Sequence, residues 1–178
     1  MTCIVGLEQN EYVYIGADSM SSNGWDREIT MLSKVFKVQG FIIGYTSSFR
    51  MGQILQYHLD IREQSQTESD GEYMVVAFIG AVRAALKSEG YTKVSDNEET
   101  GGRFLVGYKG KLWRVDSDFQ INRSAAGFSA VGCGKDSALG AMHALPDMPP
   151  KKRIRRCLEI SAECTSGVCA PFHVERLK

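Results

Sequence analysis

The sequence has no excess charge of either sign: 21 basic and 21 acidic residues leave a formal net charge of zero. A neutral chain exerts no general electrostatic pull on nucleic acid or on an anionic membrane, so neither is expected as a partner. No apolar run reaches the roughly 20 residues that a membrane-spanning helix needs. The start also lacks the basic-then-apolar pattern of a signal peptide. Cysteine is sparse. The five thiols, Cys3, Cys133, Cys157, Cys164 and Cys169, are odd in number and scattered along the chain. Such usage speaks against a disulfide framework and predicts reduced thiols in a cytoplasmic protein. There is no internal repeat, low-complexity tract or linker. Residues 1–178 are therefore expected to form a single domain with a sizeable core.

What is present is a block order. Cys3–Leu7 reads as a buried strand, Glu8–Glu11 as a turn, and Tyr12–Ala17 as a second strand ending on Asp18. Ser19–Thr30 is polar and reads as a loop. Lys34–Val38 and Phe41–Tyr45 pair around Gln39-Gly40. Thr46-Ser47-Ser48 offers helix caps before Met51, Ile54, Leu55 and Leu59, which recur at helical spacing. Tyr73–Leu86 predicts a second helix, and Thr92–Gly102 a surface connection. A hairpin over Arg103–Asp116 and short strands at Phe119–Ile121 and Phe128–Gly132 follow. Two helices, Asp136–Leu145 and Lys151–Cys164, precede a closing strand at Phe172–Leu177. Strands and helices in separate blocks predict an α+β fold, sheet on sheet with helices outside.

The chemistry concentrates at the start. A threonine hydroxyl is a poor nucleophile until a base takes its proton, and an amino-terminal amine on the same residue can be that base. An α-amino group has a pKa of roughly 7.7–8.0, so part of it is neutral near pH 7. Thr2 is small enough to permit excision of Met1, which would expose such an amine. A lysine nearby lowers the amine's pKa and stabilises negative charge on the hydroxyl, and a carboxylate holds the lysine. Lys34 and Asp18 are the candidates for these roles.

Taken singly, each residue has a plainer reading. Many chains begin Met-Thr. Asp18 alone fits a strand-end cap, and Lys34 alone a solvated strand edge. Cys3 alternates to the far face of its strand and reads as core. Cys133 reads as a small packed residue at a helix start, although that position also lowers a thiol pKa. Cys157, Cys164, Cys169 and His173 match no zinc spacing and read as packing. His58 and His143 lie on helices without an obvious acid partner. Lys151–Arg156 carries five basic residues in six and reads as a solvated helix face or a contact between subunits.

Read jointly, the residues resemble a family. The opening TCIVG, YIGADS around Asp18, KVFKV at Lys34, IIGYTSS before the first helix and AVGCGKDSA at Ala130–Ala138 fall in the order of proteasome β-type subunits. The chain is most similar to the bacterial HslV type and its small standalone relatives, over essentially its whole length. The resemblance implies the four-layer αββα sandwich of the N-terminal-nucleophile hydrolases. It implies a threonine endopeptidase with Thr2 as nucleophile, Lys34 polarising the site and Asp18 orienting the lysine. It places Ser47 where a glycine usually supplies the oxyanion-hole N–H, a main-chain donor that serine also has. Tyr45 falls at the base of the substrate pocket, with Ser21, Leu32 and Arg50 as further lining residues. No cofactor or metal is implied.

Two further positions depart from the family pattern. Cys133 stands where the family has a serine near the terminal amine, and a thiol is a weaker donor and acceptor. Glu163 and Ser166, with Gly167, resemble an Asp-x-x-Ser-Gly element that supports the site, with one extra methylene on the acid. The resemblance also implies a homo-oligomeric ring, single or stacked in two, with the nucleophiles facing a chamber. The substrate would be a peptide or unfolded protein. An ATPase unfoldase partner and a self-sufficient protease are equally compatible with the sequence. So are two other functions on the same fold: a small-molecule amidase, and an inactive ring protein used for binding or scaffolding.

Overall fold

Alternation along β1 (Cys3–Gln9) decides where the layers lie. Cys3, Val5 and Leu7 project to one face and Ile4 to the other, and all four are buried. A strand apolar on both faces must be covered on both sides. In the computed structural model, which describes residues 1–178, β1 lies inside an antiparallel sheet. Its neighbours are β2 (Tyr12–Ala17) and β12 (Phe128–Gly132), and β13 (His173–Leu177) flanks β2.

The second sheet contains β5 (Val35–Val38), β6 (Phe41–Tyr45), β9 (Phe104–Tyr108), β10 (Lys111–Val115) and β11 (Ile121–Asn122), in the order β11-β10-β9-β6-β5. Between the sheets, Ile4, Ile15 and Val131 meet Val35, Ile42, Leu105 and Leu112. Gly44 sets the spacing, since a Cβ there would stand 2.5 Å from Ile15 and 2.7 Å from Ile4.

Helices cover the two outer faces. On the second sheet, α1 (Phe49–Tyr57), α2 (Asp70–Tyr73) and α3 (Ile79–Ser88) pack on Phe41, Ile43, Tyr45, Phe104 and Val106. On the first, α4 (Lys135–Ala144) and α5 (Pro150–Cys164) pack on Cys3, Val5 and Leu7 through Ala138, Met142, Ile154 and Leu158. The architecture is thus the αββα sandwich that the block order predicts. Ser48 caps α1 by accepting from the Arg50 N–H, as the Thr-Ser-Ser run suggests.

Differences from expectation have local causes. Ser19–Thr30 is not a plain loop. It holds the hairpin of β3 (Met20–Ser22) and β4 (Arg27–Ile29), whose turn is fixed by the Asn23 side-chain oxygen accepting from the Trp25 and Asp26 N–H groups. Three-residue strands are too short to show alternation. Thr92–Gly102 holds a second small hairpin, β7 (Lys93–Ser95) and β8 (Glu98–Thr100), turning at Asp96 and Asn97 with φ of +50° and +66°. The helix expected at Tyr73–Leu86 begins at Asp70 and passes through a π-helical turn, Met74–Phe78, before α3. The basic run on α5 is not wholly solvated. Arg153 is buried, stacks on Phe128 and donates to the Met142 carbonyl, while Arg155 and Arg156 pair with Glu159.

Candidate active site

Strand register assembles the site. Pairing of β1 with β2 sets Ile4 opposite Ala17, so the next residue along, Asp18, arrives beside Cys3. Its carboxylate accepts from the Cys3 N–H at 2.9 Å and from the Met20 N–H at 2.9 Å. Pairing of β1 with β12 sets Cys3 opposite Gly132, which delivers Cys133 to Thr2. Lys34 precedes β5, and its carbonyl accepts from the Tyr45 N–H at 3.0 Å. Its side chain enters the space above Asp18.

The three expected catalytic residues come together. Lys34 Nζ donates to Thr2 Oγ1 at 2.9 Å, to Asp18 Oδ1 at 3.1 Å and to the Met20 carbonyl at 2.6 Å. An ammonium has three donors, and all three are used. Thr2, Asp18 and Lys34 are 6%, 1% and 1% exposed. A charged lysine so deep is costly unless paired, and here it is paired and fully hydrogen-bonded. Burial holds the Lys34 pKa below its usual 10.5, while the attraction and hydrogen bond of Asp18 oppose that shift. The Thr2 hydroxyl therefore sits beside a cation whose proton is less tightly held than in water.

On the other side of Thr2, its N–H donates to Cys133 Sγ at 3.3 Å. The same thiol donates to the Thr2 carbonyl at 3.4 Å and faces the Gly167 carbonyl at 3.6 Å. Gly132 must be glycine: its φ is +100°, and a Cβ would fall 2.1 Å from the Thr2 carbonyl oxygen. With Met1 attached, the Thr2 nitrogen is an amide and no base, and the Thr2 hydroxyl donates to the Met1 carbonyl. Met1 also lines the cavity above Thr2.

Ser47 follows β6 with φ of +73°, in the left-handed region that glycine prefers. Its N–H has no acceptor within the protein. Its hydroxyl instead accepts from the Arg103 N–H at 3.2 Å, which ties the turn to β9. Ser47 thus brings a free main-chain donor to the lining of the Thr2 cavity.

The remaining expected residues separate. Ser21 and Tyr45 line the Thr2 cavity, with Thr46, Ser48 and Phe49. Leu32 and Arg50 do not. They line a neighbouring depression that shares only the Tyr45 ring, and Arg50 pairs with Glu89 at 2.7 Å. Burial pushes the Tyr45 hydroxyl up to about 12, so it stays neutral. Glu163 points to solvent, 68% exposed, and meets Arg156 at 3.7 Å. Ser166 is exposed in the turn after α5. Neither hydrogen-bonds to Thr2, Lys34 or Cys133: Glu163 lies on the solvent side of α5, opposite the buried Ser161, and Ser166 lies in the turn beyond it. Their neighbour Gly167 does reach the site, since a Cβ there would strike Cys133 Sγ at 2.5 Å.

Sequence reasoning missed the Met20 carbonyl and Thr46. A backbone acceptor carries no residue-type signature. Thr46 could have been found as the first residue past a strand whose preceding member, Tyr45, already pointed to the pocket. Among the other thiols, Cys3 and Cys157 are buried as expected, and burial raises Cys3 to about 12 and Cys157 to about 11. Cys164 is exposed on the end of α5 rather than packed. No three His, Cys, Asp or Glu side chains converge as metal ligands.

In sequence, the chain matches no protein-family model and no curated protein. In structure the likeness is extensive. It superposes on Thiobacillus denitrificans BPH, free and in complex with epoxomicin, with a TM-score of 0.81 at 21% identity over 99% of this chain and 98% of that one. It superposes on eukaryotic HslV from Trypanosoma brucei with a TM-score of 0.71 at 19% identity, over 99% of each chain. Anbu from Yersinia bercovieri gives 0.67 at 13% identity, over 99% of this chain and 81% of that one. The layered architecture is therefore the fold of the proteasome-like N-terminal-nucleophile hydrolases.

Proposed function

We propose that the protein is a threonine peptidase that acts after the Met1–Thr2 bond is cut. One observation carries this reading: a fully buried lysine spends one of its three hydrogen bonds on the Thr2 hydroxyl, at 2.9 Å. The other two hydrogen bonds, to Asp18 and the Met20 carbonyl, fix the lysine, and the third supplies the fixed cation that a nucleophile needs.

In the proposed reaction Thr2 Oγ1 attacks the peptide carbonyl carbon, and its proton passes to the freed Thr2 amine. The Ser47 N–H and the Lys34 ammonium face the negative charge that develops. The C–N bond then breaks, and the amine returns the proton to the leaving nitrogen. Water, deprotonated by the same amine, hydrolyses the resulting ester. Removal of Met1 creates the base, frees the hydroxyl and clears the cavity. Thr2 is buried once folded, so excision before folding is the simplest route.

We further propose a homo-oligomeric ring in the cytoplasm. Trp25 is 97% exposed on the tip of the β3–β4 hairpin, and Ile29 at the end of β4 and Met31 and Leu32 just after it are exposed as well. This cluster lies on the segment whose Ser21 and Ser22 line the Thr2 cavity, and association would cover it.

Intact-mass analysis tests the reading. Because the similar BPH structure holds epoxomicin, a peptide epoxyketone is the probe of choice. The expected result is a mature chain starting at Thr2 that gains one inhibitor mass, with no gain in Thr2→Ala. An unlabelled, Met1-free, assembled protein that cleaves no peptide would overturn it.

A further inference from the structure

A second cavity opens on the other side of Ser47. It is lined by Thr46, Ser47, Gly132, Arg103, Arg114 and Lys135, with Asp116 on its wall. Thr46 and Ser47 belong to both cavities, so the two flank the free Ser47 N–H like the two arms of one groove. Gly132 lines the second arm and packs directly on Thr2, since a Cβ there would fall 2.1 Å from the Thr2 carbonyl oxygen. A peptide whose carbonyl faces the Ser47 N–H, with its acyl side in the Tyr45 cavity, would run its leaving side into this second arm.

The charge there is net positive. Arg103, Arg114 and Lys135 supply three cations against the single lining carboxylate, Asp116. Asp116 is already committed: one oxygen meets Arg114 at 3.0 Å and the other meets Arg103 at 3.7 Å. It acts as a bracket that holds two guanidinium groups in place, with donors left over on both. Lys135 meets only the exposed Asp136, at 2.9 Å, outside the cavity. In a chain with no net charge overall, this local surplus beside the proposed oxyanion site is not a reflection of composition.

We infer that the Arg103–Arg114–Lys135 cavity is a subsite for an acidic side chain, Asp or Glu, within the first residues after the cut bond. The inference rests on the peptidase reading and adds a substrate class to it. Guanidinium pairs suit carboxylates because their forked donors match two oxygens. The groups are half-exposed, so the preference should be modest and sensitive to salt.

The test uses the assembled, Met1-free protein and internally quenched peptides that differ only at the first or second position after the cut bond. Glu, Gln and Lys are compared there, with the cut located by mass spectrometry. The expected result is a kcat/KM for Glu about fivefold above Gln, and Lys below both, narrowing in 0.5 M salt. In the charge-reversed variant Lys135→Glu the Glu/Gln ratio should fall to one or below. Arg114→Gln should lower it as well while the Gln peptide is still cut. Equal cleavage of all three peptides overturns the inference and leaves the peptidase reading intact. An acidic preference confined to the residue before the cut overturns the assignment of sides. Cleavage of none of them overturns the peptidase reading and takes the inference with it.

Discussion

The two flanks of Thr2 are built differently. On one flank Asp18 and Lys34 come from strand ends, are buried and are saturated with hydrogen bonds. On the other, Ser47 and Cys133 come from turns and are exposed. Strand register fixes the first flank to within a hydrogen-bond length, whereas the second depends on loop conformation. The charged flank matches the family pattern the sequence resembles, and the turn flank is where this chain departs from it.

The largest effect should come from the charged flank. Lys34→Ala should lower kcat/KM by about 10³-fold, the scale for loss of a key electrostatic group. It also leaves Asp18 buried without its cation, a cost of about 3 kcal/mol, or about 6–12 °C in Tm. Two backbone donors still hold Asp18, so a cooperative melt should survive. Near-normal turnover in this variant would break the contrast between the flanks.

A pH profile sharpens the contrast. Activity should rise as the Thr2 amine deprotonates and fall as Lys34 loses its proton below the usual 10.5. Asp18→Asn removes a partner that raises the Lys34 pKa, so the alkaline limb should move to lower pH. Stability should run the opposite way. The unfolded chain keeps the lysine proton up to 10.5 and the folded chain releases it earlier, so stability rises with pH between the two values. Calorimetry against pH checks that sign. An alkaline limb unmoved by Asp18→Asn would remove the lysine from the mechanism.

On the turn flank the effects should be small. Cys133→Ser replaces a weak sulfur partner of the Thr2 nitrogen by a hydroxyl, and kcat should rise about two- to tenfold. Ser47→Gly keeps the N–H and relieves a positive φ worth about 1 kcal/mol. Turnover should stay within about twofold of the parent, because the hydroxyl is engaged by the Arg103 N–H and the proposed oxyanion donor is the main-chain N–H, which glycine keeps. Glu163→Gln should change nothing measurable, since an exposed pair with Arg156 contributes under about 1 kcal/mol. A large loss in that variant would return Glu163 to the site.

The same division explains what was legible in the sequence. β1, β6 and β12 are legible as short, nearly continuous apolar runs bounded by turn residues, the mark of strands covered on both faces, and β2 by a partial alternation. Thr2, Asp18 and Lys34 were readable because register turns strand positions into fixed spacings. Glu163 is misplaced because phase near a helix end decides whether a side chain faces in or out, and Ser166 because it lies in a turn that carries no periodicity. Leu32 and Arg50 were misplaced because they belong to loop and helix segments whose path no periodicity records. The β3–β4 hairpin was missed for want of length, although it carries the exposed Trp25 beside the pocket.

The most direct measurement compares peptide turnover with the fraction of chains that begin at Thr2, across preparations in which Met1 removal is varied. Turnover is expected to scale with that fraction and to vanish where every chain keeps Met1. Full activity in a preparation that retains Met1 throughout would contradict the account.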